Sequence, residues 1–302
     1  MDTSQAGDRQ LHSDADVGVV AFSSDGTILA GACRDNKVRL WDVRSGALQR
    51  TVGWNPDDKR GITLAPGARF VAAAGPEKVI KIWNLRNGEL VHRLAGHRLT
   101  PGSLAFSPDG KLLASGSREH LVRVWDLQSA AQRFTLPDGI GDAGVLAFSP
   151  DSEILVGANS DTNVRIWSLR SGKLLRTIEE IPVTTFALCF SPGGKWLASA
   201  GVDRTVYLWD TRTWQAVRKL TGQPEMISAM AFSPDGRMLL TGGFDADSSR
   251  NPTKVLFWDV PSGAIVRTVP SAHTVRSAVF SPDSTLAAVA DSENSVRIWK
   301  AR

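Results

Sequence analysis

The sequence predicts an all-β protein assembled from seven copies of one four-stranded unit. Three observations carry that expectation: a strand-like pentapeptide ending in tryptophan-aspartate that keeps returning, a tight-turn tetrapeptide ahead of it, and apolar residues that alternate with a period of two. The repeated tryptophans are Trp41, Trp83, Trp125, Trp167, Trp209, Trp258 and Trp299, spaced by 42, 42, 42, 42, 49 and 41 residues. A length of 302 residues would allow two domains. One repeat running from end to end predicts a single closed body instead, with units at approximately 17–52, 53–94, 95–136, 137–178, 179–220, 221–269 and 270–302.

The third unit shows the elements most clearly. Its first strand is Gly102 to Phe106, followed by the turn Ser107-Pro108-Asp109-Gly110 and a second strand, Leu112 to Ser117. A turn holding Glu119 leads into Leu121 to Asp126, and Ala131 to Leu136 completes the unit. Val122 and Val124 fall on one face of the third strand and Arg123 and Trp125 on the other, as a pleated strand requires. Ser-Pro-Asp-Gly or a variant follows the first strand at Ser23, Ser107, Ser149, Ser191, Ser233 and Ser281, with Ala65-Pro66-Gly67 in the second unit. Proline presets φ there, and Asp or Gly tolerates the next position, so a tight hairpin is expected. Six residues before each tryptophan stands an acid, at Asp35, Glu77, Glu119, Asp161, Asp203 and Glu293, with Asp245 in the sixth unit displaced by an insertion. A carboxylate in that hairpin accepts backbone N–H groups of its own turn, which is a structural role. Trp196 and Trp214 lie in predicted strands and are read as packing residues.

These residues resemble the WD-repeat family over essentially the whole chain. Trp-Asp stands at Trp41-Asp42, Trp125-Asp126, Trp209-Asp210 and Trp258-Asp259, and is altered to Trp83-Asn84, Trp167-Ser168 and Trp299-Lys300. By that resemblance, seven copies imply a seven-bladed β-propeller with four antiparallel strands per blade around a central channel. Gly96-His97 is the one intact Gly-His pair, and the resemblance implies that His97, Ser115, Glu119 and Trp125 form the family's blade-locking hydrogen-bond network. Elsewhere the network is expected to be absent: Ala272-His273, for example, faces Val289 where a hydroxyl is needed. The array stops at Arg302, three residues past Trp299, leaving the last blade without an outer strand. Five strands end in Arg-x-apolar, and Arg9-Gln10-Leu11 is one of them, ahead of the first full blade. Residues from about Ala6 to His12, within a closing strand plus tail at 1–12, are therefore expected to pair beside Trp299 and hide an open edge.

Composition excludes several classes of function. Hydrophobic residues make up 42% and charged residues 22%, and no apolar stretch approaches the roughly 18 residues of a membrane span. Met1 to Asp16 contains four Asp, one Arg and no apolar segment, so a secretory signal is not expected there and the protein is placed in the cytoplasm. Cys33 and Cys189 lie roughly half the array apart, which suits two free thiols better than a disulfide. The net charge is +4, but many bases recur at two ladder positions: Arg39, Lys81, Arg123, Arg165 and Arg297 before the tryptophan, and Arg9, Arg50, Arg176, Arg218 and Arg267 in the outer strand. Spread around a ring they make no phosphate-tracking stripe, so no nucleic acid and no membrane partner is expected. The five histidines stand in no zinc or nucleophile motif, and His97, Ser115 and Glu119 are committed to one another, so neither catalysis nor a cofactor is expected. In the sixth-unit insertion, Phe244 to Pro252, Asp245, Asp247, Ser249 and Asn251 alternate like calcium ligands. Arg250 and Leu256 occupy the places of the required Gly and Glu, which makes it a weak calcium candidate beside the reading as a surface loop.

Sorting loops by edge supplies the functional clue. The family resemblance implies that the segments between units share a rim with the hairpin before the tryptophan strand, and these segments carry Asp14, Asp16, Asp57, Asp58, Asp138, Asp142, Glu179, Glu180 and Glu225 against Lys59, Arg60 and Arg98. That rim is expected to be acidic and to suit a basic protein or peptide segment. Trp54, Met226 and Phe244 are its expected apolar anchors in loop positions, with Asp57, Asp58, Arg98, Arg118, Glu179 and Glu180 around them. The resulting expectation is a non-enzymatic protein–protein interaction scaffold. A sensor or autoinhibitory domain of a larger signalling protein is the alternative within binding modules, and a channel-mouth hydrolase or lyase the alternative class.

Overall fold

A computed structural model describes residues 8–53, 61–136, 144–158, 161–179, 184–245, 253–271 and 273–301. Every regular element in it is a strand, and the strands form seven antiparallel sheets of four. Blade 3 comprises Pro101–Phe106, Leu112–Ser117, Val122–Asp126 and Ala131–Leu136, within a residue of the expected bounds. The first strand of each blade touches the first strands of both neighbours, and blade 7 touches blade 1, so the inner strands close a ring around a channel.

Closure uses the other end of the chain. Arg9–His12 pairs with Ser295–Lys300 as the fourth strand of blade 7, in the register Arg9 to Ile298 and Leu11 to Val296. Leu11 is 2% exposed and packs among Val17, Trp41, Val296 and Ile298 from both sides of the seam. Residues 6 and 7 of the expected strand lie outside the described residues.

The seven repeated tryptophans are buried between sheets, none more than 6% exposed. Each seats against the preceding blade as well as its own; Trp167, for instance, packs with Ala114, Val122 and Leu136 of blade 3. In blades 1 to 6 the pairing of third and fourth strands slips by one residue at the tryptophan, a bulge that adds twist beside the indole. The residue after it caps the following turn. Asp126 accepts the amides of Gln128 and Ser129 at 3.0 and 2.9 Å, and Asp42 accepts the Ser45 amide at 2.7 Å. Asn84 does the same for the Arg86 amide at 2.8 Å and Ser168 for the Arg170 amide at 3.3 Å, which explains why those substitutes serve. Lys300 needs no such capacity, because the outer strand of blade 7 does not follow it in the chain.

The two ladders of bases are more committed than their spacing suggests. Arg39, Lys81 and Arg165 pair with the hairpin acids four residues earlier, Asp35, Glu77 and Asp161, at 2.8, 2.9 and 2.5 Å. Arg39 and Lys81 are almost fully buried in doing so. Outer-strand arginines reach across to the next blade: Arg176 to the Thr213 carbonyl at 3.1 Å, Arg218 to that of Val260 at 2.6 Å, and Arg9 to that of Val43 at 3.2 Å. Arg9 makes this bond from blade 7 to blade 1, so the closing strand carries the same inter-blade clamp as its counterparts. In blade 7 the acid that accepts its own turn is Asp291, from the Glu293 amide at 3.0 Å and the Ser295 hydroxyl at 2.7 Å, rather than Glu293 as the spacing predicts.

Candidate interaction rim and channel mouth

The connections between blades and the hairpins joining second to third strands lie on one rim, and the channel opens there into a cavity of about 800 Å³. Val19, Ile62 and Phe244 give it apolar walls, Gly18 and Gly102 leave the inner strands low at its edge, and Arg34 and Arg276 supply its charge. Both arginines reach the same oxygen of Asp16, Oδ2, at 3.2 and 2.9 Å.

The sequence-predicted rim residues fall into three groups. Met226 and Phe244 are not loop residues: they face each other in the register of the first two strands of blade 6, which are seven residues long where those of blade 3 are six. The Phe244 ring lies 5.7 Å from that of Phe186 and forms part of the mouth. Arg98, Arg118 and Glu179 are exposed, and the Arg98 amide donates to Glu119 at 3.2 Å. Trp54, Asp57, Asp58 and Glu180 lie outside the described residues, as do Asp247, Ser249 and Asn251 of the calcium candidate, whose remaining member, Asp245, is half-buried. Among the described residues no group of three or more His, Cys, Asp and Glu is arranged to hold a metal ion.

Four of the acids expected to give the rim its sign lie among the described residues, and two of them, Asp16 and Glu225, are spent on neighbours, while Asp14 and Glu179 stay exposed. Asp16 is held by two arginines, Asp14 approaches Arg39 at 3.3 Å, and Glu225 is 6% exposed and accepts the Gln223 amide at 2.7 Å. The hairpins add Arg34, Lys78, Arg118 and Arg204, all exposed, which counting acids in the connections alone overlooked.

Beneath this rim, blade 3 carries a chain of polar side chains. Trp125 Nε1 donates to Ser115 Oγ at 2.8 Å, Ser115 meets His97 Nε2 at 2.7 Å, and His97 Nδ1 meets Glu119. Since the Ser115 oxygen already accepts from the indole, its hydrogen points to His97 Nε2, and Nδ1 carries the proton given to Glu119. Burial lowers the His97 pKa, against the pull of Glu119, and so favours this neutral form. Ser115 is fully buried, so the Ser, His and acid triplet offers no surface to a substrate.

The expectation that this network occurs only in blade 3 is corrected by blades 5 and 6. Trp209 donates to Ser199 at 2.9 Å, and Trp258 donates to Thr241 at 2.9 Å. Thr241 then donates to Gln223 Oε1 at 2.7 Å, and Gln223 Nε2 donates to Glu225, so a glutamine after Gly222 takes the place that His97 holds after Gly96. The legible signal was a hydroxyl residue opposite the indole, at Ser199 directly and at Thr241 once the insertion is discounted. Cys33 and Cys189 are free, and burial pushes both thiols up, Cys189 to about 12, which disfavours the thiolate in each.

The family model for the WD40 repeat (WD domain, G-beta repeat) matches residues 9–42, 88–126, 141–168, 172–210, 214–248 and 263–300, well over half of the sequence. The chain belongs to this family. Four of the six matched WD40 segments run from an outer strand through the third strand of the following blade, and the first of these joins the closing strand to blade 1; 141–168 begins past the outer strand and 214–248 ends before the third. Six matches accompany seven blades because residues 43–87, holding most of blade 2, fall in none of them. That blade has Ala65-Pro66-Gly67 in its first turn, Ala73 opposite its indole and Asn84 after it. No curated protein matches the chain. WD40 propellers are generally scaffolds that bind proteins or peptides.

Proposed function

We propose that this chain is a non-enzymatic platform that presents its channel-mouth rim to a protein or peptide partner in the cytoplasm. The observation that carries the reading is the mouth itself: a cavity with apolar walls and two arginines, set in a ring whose blades are cross-bonded and closed. Preformed rigidity of this kind lowers the ordering cost of binding an extended segment. The buried state of Ser115 and His97 supports a role without catalysis, and the free thiols support a reducing compartment. The dispersal of bases into intra-blade pairs and inter-blade clamps supports a partner other than nucleic acid, and no described helix is long and apolar enough to cross a membrane.

The circumference of the rim favours basic segments of that partner, through exposed Asp14 and Glu179 and the acids of the connections. Affinity capture from native lysate tests the reading, comparing the wild-type chain with Asp14→Lys/Glu179→Lys on this rim and Asp109→Lys on the other. A captured protein lost at high salt and with the first variant alone is the expected result. Capture insensitive to salt, or lost only with the second variant, contradicts it.

A further inference from the structure

The centre of the rim differs in sign from its circumference, which deepens the platform reading and rests on it. Among the described residues that wall the mouth, Arg34 and Arg276 are the only charged ones. Among the described residues their counter-charge is Asp16, and both bind the same oxygen of it, so two guanidiniums share one carboxylate. The sharing leaves capacity unused. Arg34 has a side chain 64% exposed, and Arg276 Nε is buried without a hydrogen-bond partner, as is Asp16 Oδ1. A guanidinium presents five N–H donors in a planar fork that suits a carboxylate, and one shared oxygen occupies few of the ten. The three residues come from separate stretches brought together at the seam: Asp16 follows the closing strand, Arg34 opens the hairpin after the second strand of blade 1, and Arg276 lies in the inner strand of blade 7.

We propose that the mouth takes an acidic side chain of the partner, an Asp or Glu on an extended segment whose neighbouring apolar residue packs against Val19 and Phe244. Arg34 and Arg276 are its paired donors. Asp16 holds them in position while the mouth is empty, and shares or yields them when the incoming carboxylate arrives. The uncompensated positive charge selects for the acid, and the apolar walls select for its neighbour.

Selection of phage-displayed random peptides on the immobilised full-length chain tests this, with Arg34→Gln, Arg276→Gln and Asp16→Asn variants whose melting is checked against the wild type. Recovered peptides are expected to place Asp or Glu beside an apolar residue. Measured as synthetic peptides by fluorescence anisotropy, they are expected to bind about tenfold or more weakly to either arginine variant and more tightly to Asp16→Asn. Recovery of Lys- and Arg-rich peptides, or binding that ignores both arginine substitutions, overturns the acidic anchor and leaves the platform reading standing. A selection that enriches no peptide overturns both.

Discussion

Blades 3 and 7 secure their tryptophans in opposite ways. In blade 3 the indole N–H feeds a buried chain through Ser115 and His97 to Glu119, and Glu119 also accepts the Ser117 hydroxyl at 2.9 Å and the Arg98 amide. The segment entering the blade is thereby tied to the blade's own second hairpin. In blade 7, Val289 stands where Ser115 would, and His273 turns outward to pair with Glu293 at 2.6 Å on the surface. Its outer strand, Arg9–His12, arrives from the far end of the sequence and is held by Leu11. A polar chain fixes a blade from within, whereas a borrowed strand fixes it through apolar burial and edge pairing, and only the second also closes the ring.

The largest effect should come from breaking the borrowed strand. Leu11→Ala alone is expected to cost about 2–5 kcal/mol, as for other fully buried leucines, and deletion of residues 1–12 should cost more, since it also removes the strand pairing and the Arg9 clamp. Thermal melts of the three proteins test the order. An unchanged melt after deletion would show that blade 7 is stable with three strands and would end the comparison. Next in size is His97→Ala, which leaves Ser115 and Glu119 without their shared partner at a cost of about 2–3 kcal/mol. His97→Gln should recover most of that loss, because Gln223 already bridges a hydroxyl and a glutamate in blade 6. Urea unfolding that finds Gln no better than Ala would mean that the two networks are not equivalent.

How much of this was legible in sequence depends on how far apart the cooperating residues stand. The ring, its seven indoles and the closing strand were visible because their signal repeats: Leu11 ends an Arg-x-apolar run that four other outer strands share. The mouth was not visible, since Arg276 is joined to Asp16 and Arg34 only by closure of the ring, which no local pattern in the sequence records. Counting acids along the connections could not show which of them stay free, for a related reason: exposure is decided by tertiary partners, and Glu225 turns inward to Gln223 while Asp16 lies between two guanidiniums. Gln223 escaped notice because its role depends on hydrogen-bond geometry, which a glutamine amide satisfies without matching the expected histidine.

A smaller effect separates the two indoles themselves. Trp125→Phe removes a donor that Ser115 accepts in a fully buried place, whereas in blade 7 Val289 holds the place of Ser115, so the substitution should cost about 1 kcal/mol more in blade 3 than in blade 7. Equal losses in urea unfolding would mean that the network contributes nothing beyond the packing of the ring.

The smallest expected effect is on pH dependence, and it distinguishes His97 from the carboxylate beside it. Burial, outweighing the attraction of Glu119, holds the His97 pKa below 6.5 in the folded chain. Between that lowered value and about 6.5 the unfolded chain binds the extra proton, so stability falls as the pH drops through this window and does not depend on His97 above it. Glu119 acts in a lower window. Burial pushes its pKa up, but hydrogen bonds from His97, Ser117 and the Arg98 amide outweigh this and hold it below 4.5, so its contribution is present above that value and lost as the pH falls further. Between about pH 6.5 and 4.5 the wild type should therefore lose stability from His97 while His97→Gln does not, and the gap between their unfolding midpoints should change steadily across that range. A gap constant from pH 8 to pH 5 would mean that His97 titrates alike in the folded and unfolded chain, and blade 3 would then owe its stability to shape alone, as blade 7 does.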